Sequence, residues 1–568
     1  MLYTLHGYIL RELLKTFALA TIALTGLLTM GGALFNALRY EGISAADVPL
    51  LTPLIAPAML TVAMPLAAIF SATLTYGRFA ADNELNACRA AGINVHRLMV
   101  AALLLALFVS LVALFGANIL IPGIYRTVER YARNNIGVVA ASQLESRAFI
   151  DFAKEGRDSH LITCNKVLRP TREALLAKGF DVDPRITYLI IDNPRYLHRS
   201  PENQLKRFIL ADKGFCQFDA RTNQMSLSVT VKGGYDYDPG GGTISLDEQT
   251  IGPFYYSISG KTRASLVELH TLVDWLRRPW IGGDVAAEFR RLRHELVRLE
   301  AFRTAERAIS DGGTLTLADD LGNQYDIKAA SFGPASLGAA GSGLQLTNCE
   351  VACTRADGEA LSRFTAGRAL LTASLPGGND LLGNMMAEEE VELRLRLLET
   401  ADAPVLEYVA GSELGPQARN SHPIDKLVVP ESAKATVAEI PPQALLDRNH
   451  AMDLPEKLAE LRKSVIDKAR RLHYRVRSLI HFRFAVALAV LLTVLIAATL
   501  GAGFRGSQLL TAFGISCIPG AAVAVLIFVG HSTADRAATH TLGVILMWGG
   551  LAGVAVLEWF TLRALVKR

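Results

Sequence analysis

The chain has 568 residues, a formal net charge of +4, and 51% hydrophobic against 20% charged residues. So apolar a composition at this length argues against a wholly soluble protein and calls for membrane spans. No nucleic-acid partner is expected.

In chain order, uninterrupted apolar runs occupy Phe17 to Leu38, Leu50 to Tyr76 and Leu98 to Ile121, and then Phe484 to Phe504, Leu509 to Val529 and Thr541 to Leu562. Each is about as long as the ~20 residues that cross a hydrocarbon core. The pattern predicts a polytopic α-helical membrane protein with six transmembrane helices, three before and three after a large polar insertion. The first run is longer than the apolar stretch of a signal peptide and is read as a retained span. Pro53, Pro57 and Pro65 in the second run predict a kinked or broken helix there. Arg11, Lys15, Arg78, Arg89, Arg97, Arg505, Arg563, Lys567 and Arg568 would share one side, with only Arg39 and Arg536 in the short loops of the other. That bias predicts both chain ends in the cytoplasm and the insertion outside, against a basic cluster, Arg462 to Arg483, that precedes the fourth run.

Between the second and third runs lies Tyr76 to Gly92, YGRFAADNELNACRAAG, whose charged residues cannot lie in hydrocarbon. Asp82 at its start, good helix formers after it and Gly92 as the residue following its end predict a helix of about two to three turns. So short a helix needs a surface to dock on.

From about Ala148 to Gly260 short strand-like runs separated by Asp, Asn, Pro and Gly predict a β-sandwich or jelly roll. Asp284 to Ile309 then carries apolar residues at heptad spacing, and Leu458 to Leu479 carries a matching stripe. A second β-rich block, Gly313 to about Pro430, lies between them. The two stripes predict an antiparallel stalk in which Leu292 is a trial partner for Leu472.

No catalytic constellation is found. Gly260, Lys261 and Thr262 end like a P-loop, but Tyr255 stands where its first glycine belongs. Asp236 and Asp238 before a glycine run lack the bidentate Glu of a calcium loop and read as a turn. The 12 histidines show no H-E-x-x-H spacing, so neither metal nor cofactor is expected. Cys164, Cys216, Cys349 and Cys353 fall in the outer region with their pairing open.

The stretch YGRFAADNELNACRAAGI after a second span resembles the corresponding segment of lipopolysaccharide-export permeases of the LptF/LptG (YjgP/YjgQ) type. His481 to Ala489, HFRFAVALA, is similar to that family's approach to its fourth span. The resemblance implies a non-catalytic subunit of an ABC transporter in the inner membrane. Its partners would be a cytoplasmic ABC ATPase dimer, a second permease of the family, a periplasmic jelly-roll bridge protein, and lipopolysaccharide or a related glycolipid as cargo. It implies that Asp82, Glu84 and Arg89 belong to the helix coupled to the ATPase, with Glu84 seated in the ATPase groove. Arg39, at the outer end of the first span, is a candidate for binding anionic groups of the lipid. The domains expected are residues 1–121, with the coupling helix at 78–92; a jelly-roll-like domain at 122–283; an additional insertion at 284–481, which departs from the family's single jelly roll; and residues 482–568. That departure motivates a different reading, a mechanotransmitting ABC subunit that works an outside partner without moving lipid itself.

Overall fold

The structure, a computed structural model, describes residues 2–39, 48–134, 149–151, 159–168, 170, 175, 186–200, 204–219, 225–239, 242–256, 264–310, 312–319, 321–336, 342–355, 357–374, 391–400, 403–410, 415–503 and 509–567. Two compact units emerge, one of residues 1–279 with 470–568 and one of residues 280–469.

In the first unit the membrane-spanning candidates are Leu5–Gly31, Met59–Ala81, Val100–Thr127, Glu456–Gly503, Phe513–Ala534 and Ala537–Val566, the fourth of which begins in the second unit. They belong to longer helices than the apolar runs alone suggest. Helix α1 (Leu2–Arg39) starts well before Phe17, because Ile9, Leu13 and Phe17 form one buried stripe at four-residue spacing. Helix α2 (Val48–Ala81) is one unbroken helix in spite of its prolines. Next come the short helices α3 (Glu84–Ala90) and α4 (Val95–Leu98) and the third span, α5 (Val100–Phe115), a π-helical turn at Gly116–Leu120 and α6 (Ile121–Asn134). Tyr76, Phe79, Leu98 and Leu105 share a core with Val490, Val494 and Ala498 of the fourth span. The opposite face of that span, Ala485, Ala489 and Ile496, packs with Val523, Ile527, Met547 and Leu551 of the last two spans. Those two approach closely at Gly543, where a Cβ would lie 2.4 Å from the backbone of Gly530 and Ala534. Small residues at such crossings let backbones approach without lipid between them.

The same unit holds an antiparallel sheet of nine described strands, β1 (Phe149–Asp151), β2 (Ser159–Thr163), β3 (Lys166–Leu168), β4 (Ile186–Asp192), β5 (Arg195–Arg199), β6 (Leu205–Asp219), β7 (Met225–Asp238), β8 (Gly242–Ser245) and β9 (Glu248–Tyr256). Its two long central strands, β6 and β7, change neighbours at one level. Strand β6 pairs with β5 up to Leu210 and with β4 from Lys213, while β7 pairs with β9 up to Lys232 and with β8 from Tyr235. At the changeover Gly234 has φ +124°, and a Cβ there would lie 2.0 Å from the carbonyl oxygen of Leu210, so no other residue fits. The sheet therefore divides into two half-sheets at this glycine, around a core that includes Leu189, Ile191, Ile209 and Val231.

The second unit begins before α8 (Gly283–Ser310) and continues through β10 (Leu315–Ala318), β11 (Gln324–Ser336), β12 (Ser342–Thr354), β13 (Ala360–Ser374), β14 (Glu392–Leu398), β15 (Val405–Val409), β16 (Gln417–Arg419), β17 (Ser421–Val428) and α9 (Glu431–Ala438). Its antiparallel sheet runs β10-β11-β12-β13-β14-β17, with β15 taking the other half of the β13 edge. Alternate residues such as Leu393, Leu395 and Leu397 turn to a core completed by Ala301, Ala305 and Ile309 of α8. The helix Glu456–Gly503 is continuous, and its residues up to Ala469 belong to this unit. Within the unit Glu288 of α8 meets Lys468 and Ser464, and Arg303 donates to the carbonyl oxygen of Asp453 at 3.3 Å. As residue numbers rise on one segment they fall on the other, so the two run antiparallel. The register is not the one that sets Leu292 against Leu472. Leu472 instead packs in the first unit with Val267, Leu272 and Trp275.

Candidate functional site

The short helix between the second and third spans begins later than its sequence suggests. Helix α2 continues through Arg78 to Ala81, Asp82 lies in a turn, and Asn83 takes a left-handed φ of 59° before α3 starts at Glu84. At its other end Gly92 has φ +77°, the N–H of Ile93 donates to Cys88 O and that of Gly92 to Arg89 O. This double bond pattern is the Schellman motif, which glycine favours because it needs a left-handed residue. Leu85 and Cys88 turn inward onto the core of the spans, Arg89 is half-buried, and Asp82 and Glu84 are exposed. Glu84 thus stands free on the outer side of a helix anchored by its other face.

The seat of this helix is rigid. Tyr76 is fully buried and its hydroxyl donates to the carbonyl oxygen of Leu98 at 2.7 Å, joining the end of α2 to α4. Arg78 pairs with Glu12 at 3.2 Å, Tyr8 stacks on Phe79, and Ser71 donates to Leu13 O at 2.8 Å. Helices α1 and α2 are therefore fastened together beside α3. Arg39 is the last residue of α1, about as far from α3 as that helix allows, and its side chain lies outside the described residues.

Two charged residues, Glu558 and Arg483, take buried partners that the sequence does not name. Glu558, in a run that reads as uninterrupted, accepts from Thr499 at 3.1 Å and from Thr561 at 3.3 Å, which joins the fourth and sixth spans. A single acid in an apolar run is the available signal. Arg483, one of the basic cluster before the fourth span, is 4% exposed. Its guanidinium donates to Asn118 Oδ1 at 3.0 Å, Ser265 O at 3.0 Å and Val267 O at 2.7 Å.

The motif-like stretches take ordinary roles or fall outside view. Asp236 and Asp238 lie at the β7–β8 hairpin, and Asp236 receives Arg207 Nε at 3.0 Å. Gly260, Lys261 and Thr262 lie outside the described residues. All six cysteines are free. Burial, and the neighbouring Cys164, push the Cys216 thiol up to about 12, and burial does the same to Cys349, so these thiols are unreactive near neutral pH.

No curated protein matches the chain. A family match covers α1 from Gly7, the second and third spans with the helix between them, and the first sheet through β8. Residues 7–246 match the family described as lipopolysaccharide export system permease LptF/LptG.

Proposed function

We propose that the protein is the permease subunit of an ABC exporter that extracts lipopolysaccharide or a related glycolipid from the inner membrane and hands it to a periplasmic bridge. Both termini and α3 would face the cytoplasm, and the first sheet, read as a jelly roll, would stand in the periplasm. A cytoplasmic ATPase dimer would supply the work. A second permease, identical or paralogous, would complete the lipid cavity. The observation that carries this reading is Glu84, an exposed carboxylate on a short helix that the spans hold fast from behind. Asp82 flanks it and Arg89, half-buried, lies in the same helix. Arg39, at the far end of the first span, would receive phosphate or carboxylate groups of the lipid.

In the assembled complex Glu84 would meet basic groups in a closed groove, where losing one member of a buried pair costs about 3–5 kcal/mol. Glu84→Ala is expected to release or uncouple the ATPase while membrane insertion stays normal, and a photo-crosslinker at position 39 is expected to label glycolipid. Unchanged ATPase co-purification and unchanged lipid-stimulated hydrolysis would remove Glu84 from the coupling. Labelling of bulk phospholipid alone would leave Arg39 an ordinary interfacial residue. The mechanotransmitter reading is favoured by one observation, the separate unit of residues 280–469, and it predicts a stable ATPase complex without bound glycolipid.

A further inference from the structure

Arg483 is a buried cation with no carboxylate partner among the described residues, and its three hydrogen bonds reach two different parts of the first unit. Ser265 and Val267 belong to the segment that comes after the first sheet and leads into α7 (Leu269–Arg277). Asn118 belongs to the π-helical turn Gly116–Leu120 in the third span. Such turns carry one residue more than an α-helical turn and are frequent at functional sites.

The Asn118 side chain does two things at once. Its amide nitrogen donates at 2.7 Å to Leu114 O, the carbonyl that its own backbone N–H would take in an α-helix. Its amide oxygen receives Arg483. If the turn lost its extra residue, the helix beyond it would rotate by about 100°, the angle per residue of an α-helix, and the amide oxygen would leave the guanidinium. The turn is also held from outside, since a Cβ at Gly116 would lie 2.7 Å from Thr61 Cγ2 of the second span. Beyond it, Arg126 of α6 pairs with Glu268, next to Val267. The third span and the segment leaving the sheet are thus tied twice, once through a contact that exists only in one helical register.

We propose that Asn118 and Arg483 are positioning residues that form a register-sensing latch. The latch couples the third and fourth spans to the segment leaving the first sheet, and thereby to the passage of lipid from the spans to that sheet. This rests on the function proposed above. Neither residue need touch lipid. A lysine in place of Arg483 lacks the planar fork that serves an amide and two carbonyls together.

The test uses the full chain with its partner permease and ATPase in vesicles containing the glycolipid. Spin labels introduced as unnatural residues at Thr127 and His270 report the spacing of α6 and α7 by dipolar broadening. Crosslinking of glycolipid within the first sheet reports its arrival there. Asn118→Leu and Arg483→Lys are expected to weaken the broadening and to lower lipid arrival about tenfold, the size of a typical coupling between sites, while ATP hydrolysis stays within about twofold of the unaltered protein. A merely structural role would reduce hydrolysis and complex yield in parallel, and that result overturns the latch. So does unchanged broadening in Asn118→Leu, or altered broadening with unchanged lipid arrival. If Arg483→Lys fails to insert, Asn118→Leu alone decides. Should the unaltered complex bring no glycolipid to the sheet, the proposed function fails and the latch to lipid passage with it, whereas intact wild-type arrival isolates any failure to the latch.

Discussion

Asp319 closes the turn between β10 and β11 with its carboxylate, accepting from the backbone N–H of Leu321 at 2.9 Å and of Asn323 at 2.8 Å, from the Asn323 side chain at 2.8 Å and from the Tyr325 hydroxyl at 3.3 Å. Burial pushes its pKa up, but these donors together outweigh it and hold the group below its ordinary value. Because the folded pKa is the lower one, the carboxylate stabilises the fold fully above the unfolded value of about 3.9, and that contribution fades as pH falls through the folded value. Asp319→Ala is expected to cost about 1–2 kcal/mol at neutral pH, the scale of hydrogen bonds to a partly solvated charge. Denaturant titrations of both proteins should show the difference closing as the medium is acidified below the carboxylate range. A difference independent of pH would mean the cost comes from elsewhere. The sequence shows the end of a strand here, but not that four donors would converge on one carboxylate. Glu558 and Arg483 show the same limit more sharply, since each charge is visible in the sequence while its buried partner is not.

At the scale of elements, the heptad stripes of Asp284 to Ile309 and Leu458 to Leu479 are plain in the sequence, but their register is not. Sliding one stripe by seven residues again sets apolar against apolar, so the pattern alone leaves several alignments nearly equivalent. Ion pairs decide among them, with Glu288 against Lys468 and Arg303 near Asp453. This alignment brings Leu296 level with Leu458, both buried, whereas the alignment of Leu292 with Leu472 is displaced by about 15 Å at 1.5 Å per residue. Under mild oxidation, Leu296→Cys with Leu458→Cys should crosslink and Leu292→Cys with Leu472→Cys should not. The reverse result would overturn the register. The helix end at Gly92 was legible for the opposite reason: its left-handed turn is a local property of one residue, independent of what packs nearby.

For the whole molecule, the second unit has its own sheet, its own flanking helices and a core that draws on residues 301–433. Residues 280–469 expressed alone are therefore expected to fold, with a single cooperative thermal transition and β-rich circular dichroism. A molten, aggregating product would show that the unit depends on the rest of the chain. The sequence by itself determined that the protein enters a membrane, where its apolar helices fall, and that β structure lies between them, because hydrophobic length and periodicity are local records of what each segment must bury. The stretch around Glu84 also carried the resemblance to the permease family that residues 7–246 match. Only the tertiary structure decided that α2 runs unbroken, that β6 and β7 exchange neighbours at Gly234, and that Arg483 joins Asn118 to Ser265 and Val267. Those outcomes depend on residues up to hundreds of positions apart meeting in a closed, water-poor interior, where each donor must find an acceptor that no local pattern names.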